Sequence, residues 1–310
     1  MGRFVDPKID FAFKRIFATA GHEPILISFL NALIYQGEPT IASLELLNPY
    51  LGPVIANRKE TYLDIKARLN DGSLVVIEMQ MLQVPAFNRR VVYNAAKAYT
   101  LQLERGKPYG DLQPVIALTL TNFELFPETE PVISSYRFRN DVTGSLYKDR
   151  TIELLFVELP KFRKSLEELE TLADIWLYFM KNTAFLGEIP DRLRQVSEVD
   201  RALEISNRFG MSPEELEMAE AQEEFFRKND GFWEVALEQG LEQGIQQGIA
   251  QGIQQGMAQG IQQGITQGET NKALEIARRL LAQGLDTNTI AQVTGLSPDT
   301  IATLVDSSEL

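Results

Sequence analysis

The apolar positions of "DFAFKRIFA" recur at helical spacing. Phe13, Ile16 and Phe17 share one face, and Asp6 and Pro7 just upstream stand where a cap and a first turn would fall. This pattern predicts a first helix, and a second runs from Pro24 through "ILISFLNALI". The period then changes. "IASLELLN", "TYLDIKARL" and "SLVVIEMQM" read as three strands, followed by a helix from Phe87 to about Leu103 and the strand "PVIALTLT". "ISSYRFR" and "TIELLFVEL" carry the strand signal on to Leu159. Helix, three strands, helix, strand predicts an α/β fold, one sheet core spanning residues 1–160. Residues 161–238 read as helical and acidic.

From Gly240 to Gly268 every fourth residue is glycine, and each unit reads apolar, variable, Gln, Gly. Leu241, Ile245, Ile249, Ile253, Met257, Ile261 and Ile265 fill the apolar slot. An interior glycine costs a helix about 1 kcal/mol against alanine. A period of four nonetheless lays glycine and its apolar neighbour along one slowly winding stripe, where two backbones can approach closely. Residues 239–268 therefore read either as a self-association helix or as a flexible low-complexity tether.

Residues 269–310 predict a small module of three short helices, broken at Gly284 and Gly295, with Ser297 and Pro298 starting the last. The spacing resembles a helix-turn-helix. Yet residues 297–310 contain no Lys or Arg, which suits a protein contact better than a reader of base edges.

Composition narrows the classes. The chain has no cysteine, which removes disulfides, cysteine-ligated zinc and thiol nucleophiles and fits a reducing cytoplasm. The N-terminus lacks the apolar core of a signal peptide, and the run "LADIWLYFM" is short and carries Asp174, so the expectation is a soluble cytoplasmic protein with no membrane partner. A net charge of −13 argues against a polyanionic partner, but the acid is unevenly placed. Residues 1–110 hold 13 Lys/Arg against 10 Asp/Glu, whereas residues 111–310 hold 17 against 33. The N-terminal part permits phosphate contacts.

Candidate chemistry lies in "YLDIKARLNDGSLVVIEMQ". If Asn70, Asp71 and Gly72 form a three-residue loop, Leu69 flanks Ser73, Asp64 pairs with Glu78, Lys66 with Val76 and Tyr62 with Gln80. Tyr62, Asp64, Lys66, Glu78 and Gln80 then share one face, and Leu63, Ile65, Ala67, Val75, Ile77 and Met79 face a core. A two-residue loop would send the two acids to opposite faces. Opposed carboxylates repel, so the placement suits a hard divalent cation; Lys66, two residues from Asp64, offers the alternative of simple neutralisation.

Asp64, thirteen residues, then "EMQ" resembles the PD-(D/E)XK nuclease signature, with Gln80 at the usual lysine position. "DFAFKRIF", the "IEMQ" hairpin, "RRVVYNAAKAY" and the terminal "ALEIARRLLAQGL…IAQVTGLS" together resemble the Rpn family of recombination-promoting, transposase-like nucleases. The resemblance implies a restriction-endonuclease-like core, a mixed sheet flanked by helices, and a Mg²⁺-dependent DNA endonuclease of low sequence specificity, with Mn²⁺ as a substitute ion. It implies Asp64, Glu78 and the Met79 carbonyl as metal ligands, with Asp10 adding a carboxylate through water. Asp10 reads equally as an acid placed by the helix dipole. Glutamine cannot serve as a charged base, which leaves water activation to the metal with Lys66 nearby.

On the following helix Arg90, Asn94 and Lys97 recur at i, i+4 and i+7, either as DNA-phosphate contacts or as a solvated face, and Lys14 carries the same two readings. His22, the single histidine, has no second histidine for a metal pair and falls in a loop. The competing class is a catalytically silent relative that works as an oligomerising scaffold or regulator.

Overall fold

The computed structural model describes residues 2–51 and 61–306, and the chain divides into two units, Met1–Gly231 and Phe232–Leu310. The first opens with α1 (Asp10–Phe17) and α2 (Glu23–Ile34). The first helix starts four residues later than its cap signal. Asp6 spends its carboxylate locally, accepting the Lys8 N–H at 3.0 Å and pairing with the Lys8 ammonium at 3.1 Å, so it closes a turn before the helix.

Strands β1 (Leu44–Leu47), β2 (Tyr50–Leu51), β3 (Thr61–Tyr62), β4 (Ile65–Leu69) and β5 (Leu74–Gln80) follow, then α3 (Phe87–Thr100), β6 (Val115–Thr121), β7 (Ile133–Tyr136) and β8 (Ile152–Glu158). Six of them form a mixed sheet in the order β1-β4-β5-β6-β8-β7, with β5, β6 and β8 mutually parallel and the other pairings antiparallel. The predicted strand "TYLDIKARL" is split. Tyr62 pairs with Tyr50 in a separate two-stranded ribbon, not with Gln80, and the chain bends at Asp64 before β4 begins. The bend also moves Leu63 to the opposite side of the sheet from Ile65.

Alternation along β5 explains the two cores. Val75 and Ile77 point to one face, where α1 and α2 pack with α4 (Leu172–Asn182), α5 (Asp191–Arg194) and α6 (Ser197–Ser206). Phe17, Phe29 and Trp176 form the centre of that face, with ring centroids 4.6 Å and 5.4 Å apart across Phe29. Each such buried side chain contributes roughly 1.5–3 kcal/mol. Leu74 and Val76 point to the other face, under Ala95 and Ala98 of α3. By the same alternation Glu78 and Gln80 emerge on the α3 side.

Helix α7 (Pro213–Ala282) contributes its first turns to the first unit. In the second unit the glycine repeat is helical, and Ile245, Ile249, Ile253, Met257, Ile261 and Ile265 are all 52–62% exposed. The side chain of Leu241 lies outside those described. After α7 come α8 (Thr287–Thr294) and α9 (Pro298–Asp306), closed over Ala277, Ile290 and Ile301. The breaks fall where glycine predicts them: Gly284 and Gly295 take φ of 79° and 71°, and the Ser297 hydroxyl caps α9 by accepting the Thr300 N–H. No helix among the described residues is long and apolar enough to cross a membrane.

Candidate functional site

The hairpin turn decides the site, and it has three residues. Leu69 donates its N–H to the Ser73 carbonyl at 2.8 Å, Gly72 donates to Leu69 at 2.9 Å, and Gly72 takes the positive φ of 89° that this loop requires. Lys66 therefore pairs with Val76 and Ile65 with Ile77. The ladder ends there. Asp64 bends out of it, and its Oδ2 accepts the Met79 N–H at 2.7 Å, so a side chain takes the backbone position a strand residue would have held. A strand residue presents N–H and C=O to the same neighbour, so the Met79 carbonyl shares that unladdered edge.

Glu78 is held from α3. Asn94 Nδ2 donates to its Oε1 at 2.5 Å, and Arg90 Nη2 lies 3.6 Å from its Oε2. Gln80 is clamped at both ends: Oε1 accepts from Arg90 Nη2, and Nε2 donates to the Leu82 carbonyl at 2.8 Å. The wall above is the segment Val84–Ala86 and the start of α3, and Ala86 adopts a left-handed φ of 59° to turn the chain into the helix. These groups line a cleft of about 740 Å³.

Burial raises both acids. The Asp64 carboxyl is pushed up to about 6 by loss of water, opposed by the Met79 N–H and reinforced by the charges of Asp10 and Glu78. Burial likewise raises Glu78, against Arg90 and Asn94. Two carboxylates lining one poorly solvated cleft are a centre short of positive charge.

The remaining candidates fall differently. Lys66 opens on a neighbouring cleft with Lys14 and Asp10, and among the described residues only Asp64 borders both. The cation whose charge acts on Asp64 is Lys14 and not Lys66, and burial followed by Arg68 lowers the Lys66 pKa. The neutralising role for Lys66 is thus corrected. Asp10 is ion-paired with Lys14 at 2.6 Å, near enough for its charge to act on Asp64. The stripe on α3 faces the sheet, not solvent: Asn94 and Lys97 are 3% and 4% exposed, and the Lys97 ammonium donates to the Leu51 carbonyl at 2.9 Å. Neither presents itself to a DNA phosphate. Arg90 alone of the three keeps an open edge, at 38% exposure. His22 sits just before α2, with Nδ1 against the Arg15 carbonyl.

The donor set suits a hard cation. Asp64, Glu78 and the Met79 carbonyl offer oxygens only, and Mg²⁺ is commonly held by one or two carboxylates with its remaining positions left to water and phosphate. Among the described residues no three acidic or histidine side chains form a closed metal cage. Asn94 Oδ1, beside Glu78, is a buried acceptor without a hydrogen bond, a further oxygen in an electron-rich pocket.

A mixed sheet with an acid at the start of one strand and Glu-Met-Gln at the end of the next defines a PD-(D/E)XK-type core. The family model of the PD-(D/E)XK nuclease family transposase matches residues 7–231, more than half of the chain, and the chain belongs to this family. The model of the Rpn/YhgA-like nuclease family C-terminal HTH domain matches residues 270–306, where α8 and α9 lie. Neither a curated protein nor a solved structure gave a significant match.

Proposed function

We propose that the chain is a divalent-metal-dependent DNA endonuclease of low sequence specificity, working in recombination or transposition. The observation that carries the reading is the convergence of Asp64, Glu78 and the unladdered Met79 backbone at one cleft. Asp64, Glu78 and the Met79 carbonyl would hold Mg²⁺ or Mn²⁺. Such an ion, when bound, supplies charge to a scissile phosphate and acidity to a water. The chain's own part is orientation. Met79 fixes one oxygen of Asp64, and Asn94 fixes one of Glu78. Gln80, engaged at both ends, takes no proton.

Plasmid cleavage tests the reading directly. Wild type should nick DNA with Mg²⁺ and stop with EDTA, and Asp64→Ala and Glu78→Ala should each lose at least a hundredfold. Equal nicking by all three proteins would place the centre elsewhere.

The glycine repeat enters this reading as a contact between copies of the chain. Six apolar side chains in consecutive units stand exposed, and an added Cβ on Gly248, Gly252, Gly256, Gly260, Gly264 or Gly268 meets nothing within 4 Å. Such a stripe winds about 40° per four-residue unit, which favours a right-handed crossing between two helices. Removing residues 239–268 should lower the oligomeric state measured by light scattering; an unchanged mass would sink the idea. The C-terminal module enters as a protein contact because α9 carries no cation. Protein lacking residues 270–310 should retain DNA as wild type does, and loss of retention would return the module to DNA binding.

A further inference from the structure

We propose that Arg90 is the phosphate-binding residue of the cleft, and that Gln80 is the positioning residue that holds its guanidinium there. The proposal rests on the nuclease reading above. The cleft carries two buried carboxylates, so an approaching phosphodiester needs fixed positive charge beside them. Among the described residues two arginines line it, Arg89 and Arg90. Arg89 is exposed, whereas Arg90 is half-buried and fixed on three sides.

Nη2 donates to Gln80 Oε1 and lies 3.6 Å from Glu78 Oε2, and the guanidinium sits 5.2 Å from the centroid of the Phe87 ring. A planar fork has five donors, and here Nη2 alone is spent on the protein. Nε is buried, as it is in Arg3, Arg15 and Arg208, so contact with a ligand falls to the Nη groups at the open edge. Half-exposed, clamped and incompletely bonded, the fork suits bidentate contact with a phosphate.

Gln80 explains the geometry. Its amide nitrogen is tied to the Leu82 carbonyl, which turns its oxygen toward Arg90 and holds the cation over the Glu78 end of the cleft. A residue that only accepts from arginine at this position supplies aim without charge. Arginine stays protonated at any working pH, so Arg90 takes no part in proton transfer and acts by charge alone.

The test uses the full-length protein and a short fluorescein-labelled DNA duplex in EDTA, with anisotropy read from about 50 to 200 mM salt. Loss of one phosphate contact reduces the slope of log K against log salt by about 0.9. Arg90→Ala should show this loss, and Arg90→Lys should keep the slope. A purely structural clamp on Gln80 would be broken by both substitutions without moving the slope in either. Returning the charge from the strand, Gln80→Lys in the Arg90→Ala background, should restore the slope. In plasmid nicking with Mg²⁺, Arg90→Ala should fall about a hundredfold, in the range of a lost transition-state donor. A wild-type slope in Arg90→Ala overturns the proposal. A wild type that does not cleave overturns the nuclease reading instead, and the slopes still decide Arg90.

Discussion

Asp64 and Met79 are joined by a bond that ends a strand ladder and begins a site. The carboxylate replaces the backbone acceptor that β4 would have presented, 2.7 Å from the Met79 N–H, and in doing so it is drawn into a poorly solvated cleft. The energetic sign of this placement is unfavourable to the protein alone. An acid with a folded pKa of about 6 against an ordinary value of 3.8 binds more protons folded than unfolded, so stability falls as pH rises between these values and the full cost stands above about pH 6.

Asp64→Asn should therefore stabilise the metal-free protein at pH 8, by up to about 2–3 kcal/mol, because the amide oxygen still accepts from Met79 without carrying charge. Near pH 4 the gain should vanish. Thermal melts of the two proteins at both pH values check this, and a less stable variant at pH 8 would contradict it. Adding Mg²⁺ should raise the melting temperature of wild type and leave the variant unmoved.

Gly72→Ala should cost about 1–2 kcal/mol in urea denaturation. The residue sits at φ 89°, and a Cβ there would also come within 3.0 Å of Gln113 Oε1. A cost under about 0.3 kcal/mol would show that the turn readily takes another form.

The reach of sequence reasoning can be judged on this hairpin and the helix above it. The turn chemistry and the period of two were local, so the register and the pairing of Lys66 with Val76 were legible, whereas the expected pairing of Asp64 with Glu78 is not formed, because the ladder stops at Ile65 and Ile77 and Asp64 turns to the Met79 N–H. The split of the strand was not legible, because it depends on a bend at Asp64 and on Tyr62 finding Tyr50 across a ribbon. The α3 stripe misled for a different reason. Polar spacing suggested an outer face, yet Phe87, Val91, Asn94, Ala95 and Ala98 form one buried stripe, and the signal was Asn94 sitting among apolar neighbours. An amide inside such a stripe serves a buried partner, here Glu78.

Lys97→Met follows from that correction. With its ammonium on the Leu51 carbonyl, Lys97 supports the fold, so the variant should lose about 1–3 kcal/mol of stability and keep the wild-type salt dependence of DNA binding. A reduced salt slope at unchanged stability would restore Lys97 to the DNA surface.

Glu158 gives the largest expected effect outside the site. It is fully buried at the end of β8, accepts the N–H groups of Leu125 and Phe126, and pairs with Lys161 at 2.8 Å. Glu158→Ala leaves two amides without their acceptor and the Lys161 ammonium with the Pro127 and Glu130 carbonyls but no counter-charge, and should cost about 3–5 kcal/mol in denaturant unfolding. A loss below about 1 kcal/mol would mean that water or another acceptor replaces the carboxylate.

The repeat helix carries a consequence of another kind. Its units are nearly interchangeable, so sliding one copy along another by four residues, about 6 Å, brings like side chains back opposite like. Association along it has several near-equal alignments. A gene that gains or loses one whole unit by copying error would still encode an unbroken stripe, so this segment is free to change length in steps of four while the cleft at Asp64 tolerates no slip at all.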